Sequence, residues 1–227
     1  MAKGHEETFE LNGVQIKTIV TSNENEIDKH LSSFFRPPNN HQTQVIGFDV
    51  EWSLVYNSEE ALCAKSKCAT LQLCDGHTCL IIQLNHLPNF KGIFYPQYVY
   101  KSLLNFLRQP NVTFVGFGIK DTLPKLEKQF GFGIRNVVEL GPLAATALKM
   151  PRLSYCGVDE LAFEVNRFDL REYRPLTGHC DWDYEPLSKE LAKLATINVY
   201  SYFKIGGTLL QSNVVVGGIS MAFDHRW

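Results

Sequence analysis

The segment Phe48-Asp49-Val50-Glu51-Trp52 carries two carboxylates at i and i+2 within a run of β-forming residues. On a strand these positions point to one face, while Val50 and Trp52 point to the other. Two acids side by side in a partly covered site repel each other and lose hydration. A divalent cation relieves both penalties, and hard carboxylate oxygens suit Mg²⁺ or Mn²⁺. Asp49 and Glu51 are therefore candidate metal ligands. The competing reading of an isolated D-x-E is an edge strand with solvent-facing acids, a pattern that chance often produces.

The elements around this pair follow from periodicity. Gln44–Trp52 reads as the strand that presents the two acids. Leu54–Lys67 is polar and irregular, a loop beside them. Its Lys65 and Lys67 read first as ordinary surface lysines and second as phosphate contacts. Cys68–Asp75 and Thr78–Leu84 are two strands joined by Gly76-His77, a hairpin signal. Before them lie a β-rich run, Gln15–Val20, and an amphipathic helix, Glu24–Phe35, which ends at Arg36-Pro37-Pro38. After them come a helix over Pro96–Gln109, a strand over Val112–Gly118 and a helix from about Asp121 to Phe130. The strand Asn136–Leu140 and the helices Leu143–Leu148 and Val158–Val165 follow. Phe168–Tyr184 reads as a loop, and Pro186–Leu210 as a long helix. Hairpins first, then strands alternating with helices, predict the α/β class, a mixed sheet flanked by helices. The tail from Gln211 contains Val214-Val215-Val216, a stray strand or an unstructured end.

Composition bounds the function. The 227 residues are 44% apolar and 20% charged, which is ordinary for a globular domain. The polar N-terminus, Met1 to Glu10, is no secretory signal, and no apolar stretch reaches membrane-spanning length. The net charge of −2 excludes a protein that coats long nucleic acid and leaves room for a local contact with a strand end. Cys63, Cys68, Cys74 and Cys79 invite a zinc reading. No C-x-x-C pair is present, so free thiols packed on strands is the better reading. Gly116-Phe117-Gly118 lacks the third glycine of a dinucleotide loop, with Asp121 in its place.

Taken in order, several segments resemble one family. Val45-Ile46-Gly47-Phe48-Asp49-Val50-Glu51-Trp52, followed by Ala69-Thr70-Leu71-Gln72-Leu73-Cys74, is similar to the first motif and second strand of the DEDD-type 3'-5' exonucleases. Phe114-Val115-Gly116-Phe117-Gly118-Ile119 with Lys125-Leu126 resembles their second motif. Asn136-Val137-Val138-Glu139-Leu140, Gly157-Val158-Asp159-Glu160-Leu161-Ala162, and the helix from Leu187 after Asp181-Trp182-Asp183 resemble the segments that follow. The resemblance covers roughly residues 40 to 210. It points to the Werner-syndrome-like branch, especially its plant members, which include the RISC-interacting clearing exoribonucleases. It implies a ribonuclease H-like fold, with 1–40 as an N-terminal extension whose short strand and helix pack on the domain. Residues 41–210 would form the exonuclease-like domain, and 211–227 a C-terminal tail.

The family holds two metals with four acids. Asp49 and Glu51 match the first two. The second-motif acid, counted back from Leu126, falls on Thr122, and Asp121 lies one residue earlier. One residue on a helix is about 100° of rotation. Asp121 would join the metal only with a shifted loop, and otherwise is a helix N-terminal acid favoured by the dipole. In the third motif Leu194 stands at the water-positioning tyrosine and Asn198 at the last acid. The resemblance thus implies a metal set of Asp49, Glu51 and Asp121, completed catalytically by Asn198, with Mg²⁺ or Mn²⁺ as cofactor. It further implies a nucleic-acid partner, RNA ahead of DNA, self-association into a homo-oligomer, and residence in cytoplasm or nucleus. Two functions are expected to compete. One is a metal-dependent 3'-5' exonuclease, with roles in RNA decay, silencing or defence. The other is a pseudo-exonuclease that binds nucleic acid or protein without cutting.

Overall fold

The structure, a computed structural model, describes residues 4–34, 43–55, 65–87, 100–176 and 181–216. Strands β1 (His5–Leu11) and β2 (Val14–Thr21) meet at Asn12-Gly13, whose φ angles are 51° and 74°. Two successive residues at positive φ give the hairpin turn whose twist suits the flanking strands. On β1, Phe9 and Leu11 are buried while Glu6, Thr8 and Glu10 are exposed, the period-two pattern of an edge strand. Strands β3 (Gln44–Val55), β4 (Lys65–Cys74) and β5 (Thr78–Gln83) form an antiparallel meander. The β4–β5 turn is tied by Asp75, whose Oδ1 accepts from the amides of His77 and Thr78 at 2.9 and 2.8 Å. Strands β6 (Val112–Gly116) and β7 (Val137–Glu139) add parallel pairings to β3. The sheet is mixed and seven-stranded, in the order β1-β2-β5-β4-β3-β6-β7. Thus β1 and β2, from the first 40 residues, are strands of the same sheet.

Helices cover both faces. Phe48, Val50, Leu71, Leu73, Leu80 and Phe114 point to the side of α1 (Glu24–Phe34), α2 (Lys101–Leu107) and α3 (Ile119–Phe130). Val20, Ile81, Ala69 and Val115 point to the side of α4 (Leu140–Ala147), α5 (Val158–Asn166) and α6 (Lys189–Val216). Each β3 residue thus alternates between two buried layers, and Gly47, Asp49 and Glu51 share the α6 side.

Several boundaries differ from the sequence expectation. The charged N-terminus forms β1, which was not expected. The segment read as a loop over Leu54–Lys67 is strand at both ends, with Leu54 paired to Ser66 and Val55 to Lys65, and its centre, 56–64, lies outside the described residues. The Pro96–Gln109 helix begins at Lys101, and 96–99 also lie outside. The segment read as a loop over Phe168–Tyr184 includes a 3₁₀ turn, Leu170–Glu172, and its residues 177–180 lie outside the described set. Val214-Val215-Val216 is the end of α6, not a strand, because an established helix propagates through β-branched residues at small cost. Residues 217–227 are outside the described set. Cys68, Cys74 and Cys79 are buried free thiols on β4 and β5. Burial pushes the Cys68 and Cys79 thiols up to about 12, far from the thiolate that zinc requires. Cys63 and Cys180 are not among the described residues. No helix among the described residues is long and apolar enough to cross a membrane.

Candidate active site

Two glycines let α6 lie close to the middle of the sheet. A Cβ on Gly47 would run into the Val199 carbonyl oxygen of α6. A Cβ on Gly206 would come to 2.8 Å from Val115 of β6. Ser188 starts the helix, its Oγ accepting from the Leu191 amide at 3.2 Å. Inside the sandwich, Thr196 Oγ1 meets Thr18 Oγ1 at 2.8 Å and donates to the Ala192 carbonyl at 2.7 Å. The helix therefore has a fixed rotation, and Leu194, Asn198 and Tyr202 form one stripe at i, i+4 and i+8.

That stripe meets the acids of β3. Tyr202 is 5% exposed, and its hydroxyl donates to Asp49 Oδ2 at 3.2 Å. Asp49 Oδ1 accepts from the Val50 amide at 2.9 Å. Phe117, just past β6, packs its ring 5.2 Å from that of Tyr202. A register shift between Glu51 and Trp52 leaves Ala69 as the extra residue on β4, a bulge at the end of the acidic pair. Burial raises the Asp49 carboxyl to about 7, against the smaller pull of the Val50 and Tyr202 hydrogen bonds. Burial, then repulsion from Asp49, raises Glu51 to about 8. The Tyr202 phenol lies well above its usual range, through burial first and then the two carboxylates, with the Arg174 guanidinium acting in the opposite sense.

Not every residue read from sequence joins this cluster. Asp49 and Glu51 stand together as expected of a shared strand face. Asn198 is partly buried, and its Oδ1 accepts from Arg174 Nη1 at 3.4 Å. Asp121 is exposed in the first turn of α3. Among the described residues no group of three or more His, Cys, Asp or Glu side chains converges, so Asp121 is not brought to the pair. The backbone amides that open α3 already have an anion: Glu139 accepts from Gly118 at 2.6 Å and from Ile119 at 3.0 Å. Asp169 pairs with Arg171, and Asp183 with Asn85, and neither is grouped with the acidic pair among the described residues. Lys67 is exposed; Lys125 of the second motif lies 4.9 Å over the Trp52 ring.

Sequence reasoning missed Tyr202 and Arg174. The i+4 continuation from Asn198 was a usable signal for Tyr202. Arg174 had none, since a loop brings it to α6 from 24 residues away.

The donor set fits one hard divalent cation. Two carboxyls raised by burial to about 7 and about 8 are a poorly compensated pair that a cation would charge and stabilise. The set does not supply acids for a second cation, because Thr122 and Asn198 are neutral and a guanidinium adjoins Asn198.

A mixed sheet between helix layers, with an acidic pair on the interior strand β3 beneath α6, defines the class of ribonuclease H-like nuclease domains. The sequence profile of the 3'-5' exonuclease family matches residues 25–210, and the chain belongs to that DEDD-type family, whose members generally use divalent metals. It is similar to the RISC-interacting clearing 3'-5' exoribonuclease 1 of Arabidopsis thaliana, with 28% identity over 201 residues, 87% of this chain and 92% of that one. The fold matches the exonuclease domain of Aedes aegypti Nibbler at a TM-score of 0.65 and 14% identity, covering 92% of this chain and 94% of that domain. It matches Escherichia coli RNase D at a TM-score of 0.60 and 17% identity, covering 86% of this chain and only 45% of that enzyme.

Proposed function

We propose that this chain acts on RNA 3' ends as a metal-dependent 3'-5' exonuclease with a reduced site, in which Asp49 and Glu51 hold a single divalent cation. The observation that carries the proposal is the desolvated pair itself, side by side on β3 under α6, at the place of the family's first motif. RNA is favoured because the similar Arabidopsis protein is named an exoribonuclease and the E. coli neighbour is an exoribonuclease of structured RNA processing. A divalent cation in such a site supplies a nucleophilic water and neutralises charge on the phosphoryl oxygens. The chain's own residues hold the geometry. Tyr202 fixes Asp49 Oδ2, Phe117 fixes the Tyr202 ring, and the Val50 amide fixes Asp49 Oδ1. With no acid at Thr122 or Asn198, hydrolysis is slow, since about 1.4 kcal/mol of lost transition-state stabilisation is tenfold in rate.

A second reading, RNA binding without turnover, is favoured by one contact: Arg174 on Asn198, a positive charge where the family places its last acid. One experiment separates the two. End-labelled single-stranded RNA, double-stranded RNA and recessed-end DNA are incubated with Mg²⁺, Mn²⁺ or EDTA. The first reading expects stepwise 3' shortening of RNA that needs metal and vanishes in Asp49→Ala/Glu51→Ala. It also expects Thr122→Asp/Asn198→Asp to accelerate that shortening at least tenfold. RNA binding with no shortening under any metal establishes the second reading, and no binding of any nucleic acid overturns both.

A further inference from the structure

Arg174 comes from a loop and is held by two elements, Asp159 of α5 and Asn198 of α6. Its Nε donates to both Asp159 carboxylate oxygens, at 3.1 and 3.2 Å, and its Nη2 to Asp159 Oδ1 at 2.5 Å. Its Nη1 donates to Asn198 Oδ1 at 3.4 Å. Asn198 is one helical turn from Tyr202, and Tyr202 donates to Asp49. The guanidinium thus adjoins Asn198, one turn before Tyr202 on the stripe, and its charge acts on the Tyr202 phenol. A guanidinium has five N–H donors in a fixed fork. Three are engaged in these contacts, which leaves one on each terminal nitrogen, and the side chain is 28% exposed.

We infer that Arg174 is a phosphate-binding residue beside this site, taking a phosphodiester of the RNA strand end with the two N–H donors its contacts leave over. The inference rests on the proposed RNA-end function and adds to it how the strand is gripped. Its physical basis is a fixed, partly exposed positive charge with donors to spare next to the helix stripe that carries Tyr202. A second divalent ion needs carboxylates, and this part of the site offers an amide and a guanidinium. Arginine binds phosphate by two parallel N–H···O bonds, needs no carboxylate cage and never deprotonates. Asp159 then has a definable role. It aims the fork and partly neutralises it, so it competes with the phosphate for the same charge.

The competition gives the test. Binding of a fluorescein-labelled single-stranded RNA is followed by anisotropy in EDTA, with no divalent ion and no cutting, alongside thermal melting of each protein. Wild type is expected to bind in EDTA. Arg174→Gln is expected to weaken binding at least tenfold, and Arg174→Lys to recover part of it. Asp159→Asn, which breaks the same ion pair but keeps the cation, is expected to tighten binding about twofold or more. Both Arg174→Gln and Asp159→Asn lower the melting temperature if the pair is structural, so melting moves together while binding moves apart. Binding that falls equally in both variants, or is unchanged in Arg174→Gln, overturns the inference and leaves the RNA-end function standing. Wild-type binding that appears only with Mg²⁺ or Mn²⁺ also overturns it. Absence of RNA binding with and without metal overturns the function and the inference together.

Discussion

At Asp49 and Glu51 burial, more than any partner, sets the cost of charge. Both carboxyls titrate above their ordinary values, at about 7 and about 8. Between those values and the ordinary carboxylate range the native state holds protons that the unfolded chain has released. This contribution to stability is therefore complete below about pH 4 and is lost as pH rises through 7 and 8. In EDTA the melting temperature is expected to fall from pH 6 to pH 9. Added Mg²⁺ or Mn²⁺ should restore it, by an increment that grows with pH. Asp49→Asn/Glu51→Gln should flatten both trends. A wild-type profile that is level from pH 6 to 9 and indifferent to metal would contradict the desolvated-pair reading. Tyr202→Phe removes one hydrogen bond to a carboxylate, expected to cost about 1.5–3 kcal/mol when Asp49 is ionised. Urea unfolding at pH 8.5 should show that loss, and unfolding at pH 5 should show less. The acids were legible because two-residue spacing on a strand leaves one outcome for their direction. Tyr202 escaped because the motif comparison stopped at Asn198, although the next turn of the same stripe carried it. Asp121 was legible only as an alternative, and its exposure and the Glu139 carboxylate on the α3 amides agree with the helix-terminal member of that alternative.

The site exists because α6 lies against β3 closely enough for a phenol to reach a carboxylate. Gly47 is the residue that permits it, with the Val199 carbonyl where a Cβ would sit. Gly47→Ala has no flexible side chain to displace, only backbone. It is expected to cost about 1–3 kcal/mol as overpacking, and to push Tyr202 off Asp49. Chemical denaturation checks the first effect. The second should appear as loss of the metal-induced rise in melting temperature, even where the variant remains folded. Gly207→Ala, with open space around it, is the matched control and should leave both measurements near wild type. Sequence periodicity reached most of these elements because strands and helices between two buried layers leave clear alternation. It failed where local signals were weak or misleading. Ser53, Ser66 and Lys67 extend β3 and β4 past the bulge without an apolar face to announce them. The valines at 214–216 favour a strand locally and were absorbed by a helix already 25 residues long. The Asn12-Gly13 turn was the opposite case, a strong hairpin signal on the page, overlooked because the charged residues of β1 masked Phe9 and Leu11.

The whole molecule carries a net charge of −2, which sets how it meets a polyanion. Some cations of the described surface have acidic partners: Lys17 with Glu6, Arg152 with Glu160 and Glu164, Arg171 with Asp169, and Lys189 with Glu7. The net charge gives no overall positive surplus to follow a long strand, so affinity is expected to come from a few phosphates beside the acidic pair. This gives a quantitative expectation. A single strand that has two to four phosphates neutralised shows a slope of log K against log salt of about −1.4 to −2.8. Anisotropy titrations of single-stranded RNA from 50 to 300 mM KCl in EDTA measure it directly. A strand of six nucleotides should then bind about as tightly as one of twenty, apart from the statistical gain of extra registers, because the added phosphates meet no added cations. Arg174→Gln should make the slope shallower by about 0.7, the share of one phosphate. A slope steeper than about −5, or affinity that climbs with every added nucleotide, would indicate an extended basic track and contradict this expectation.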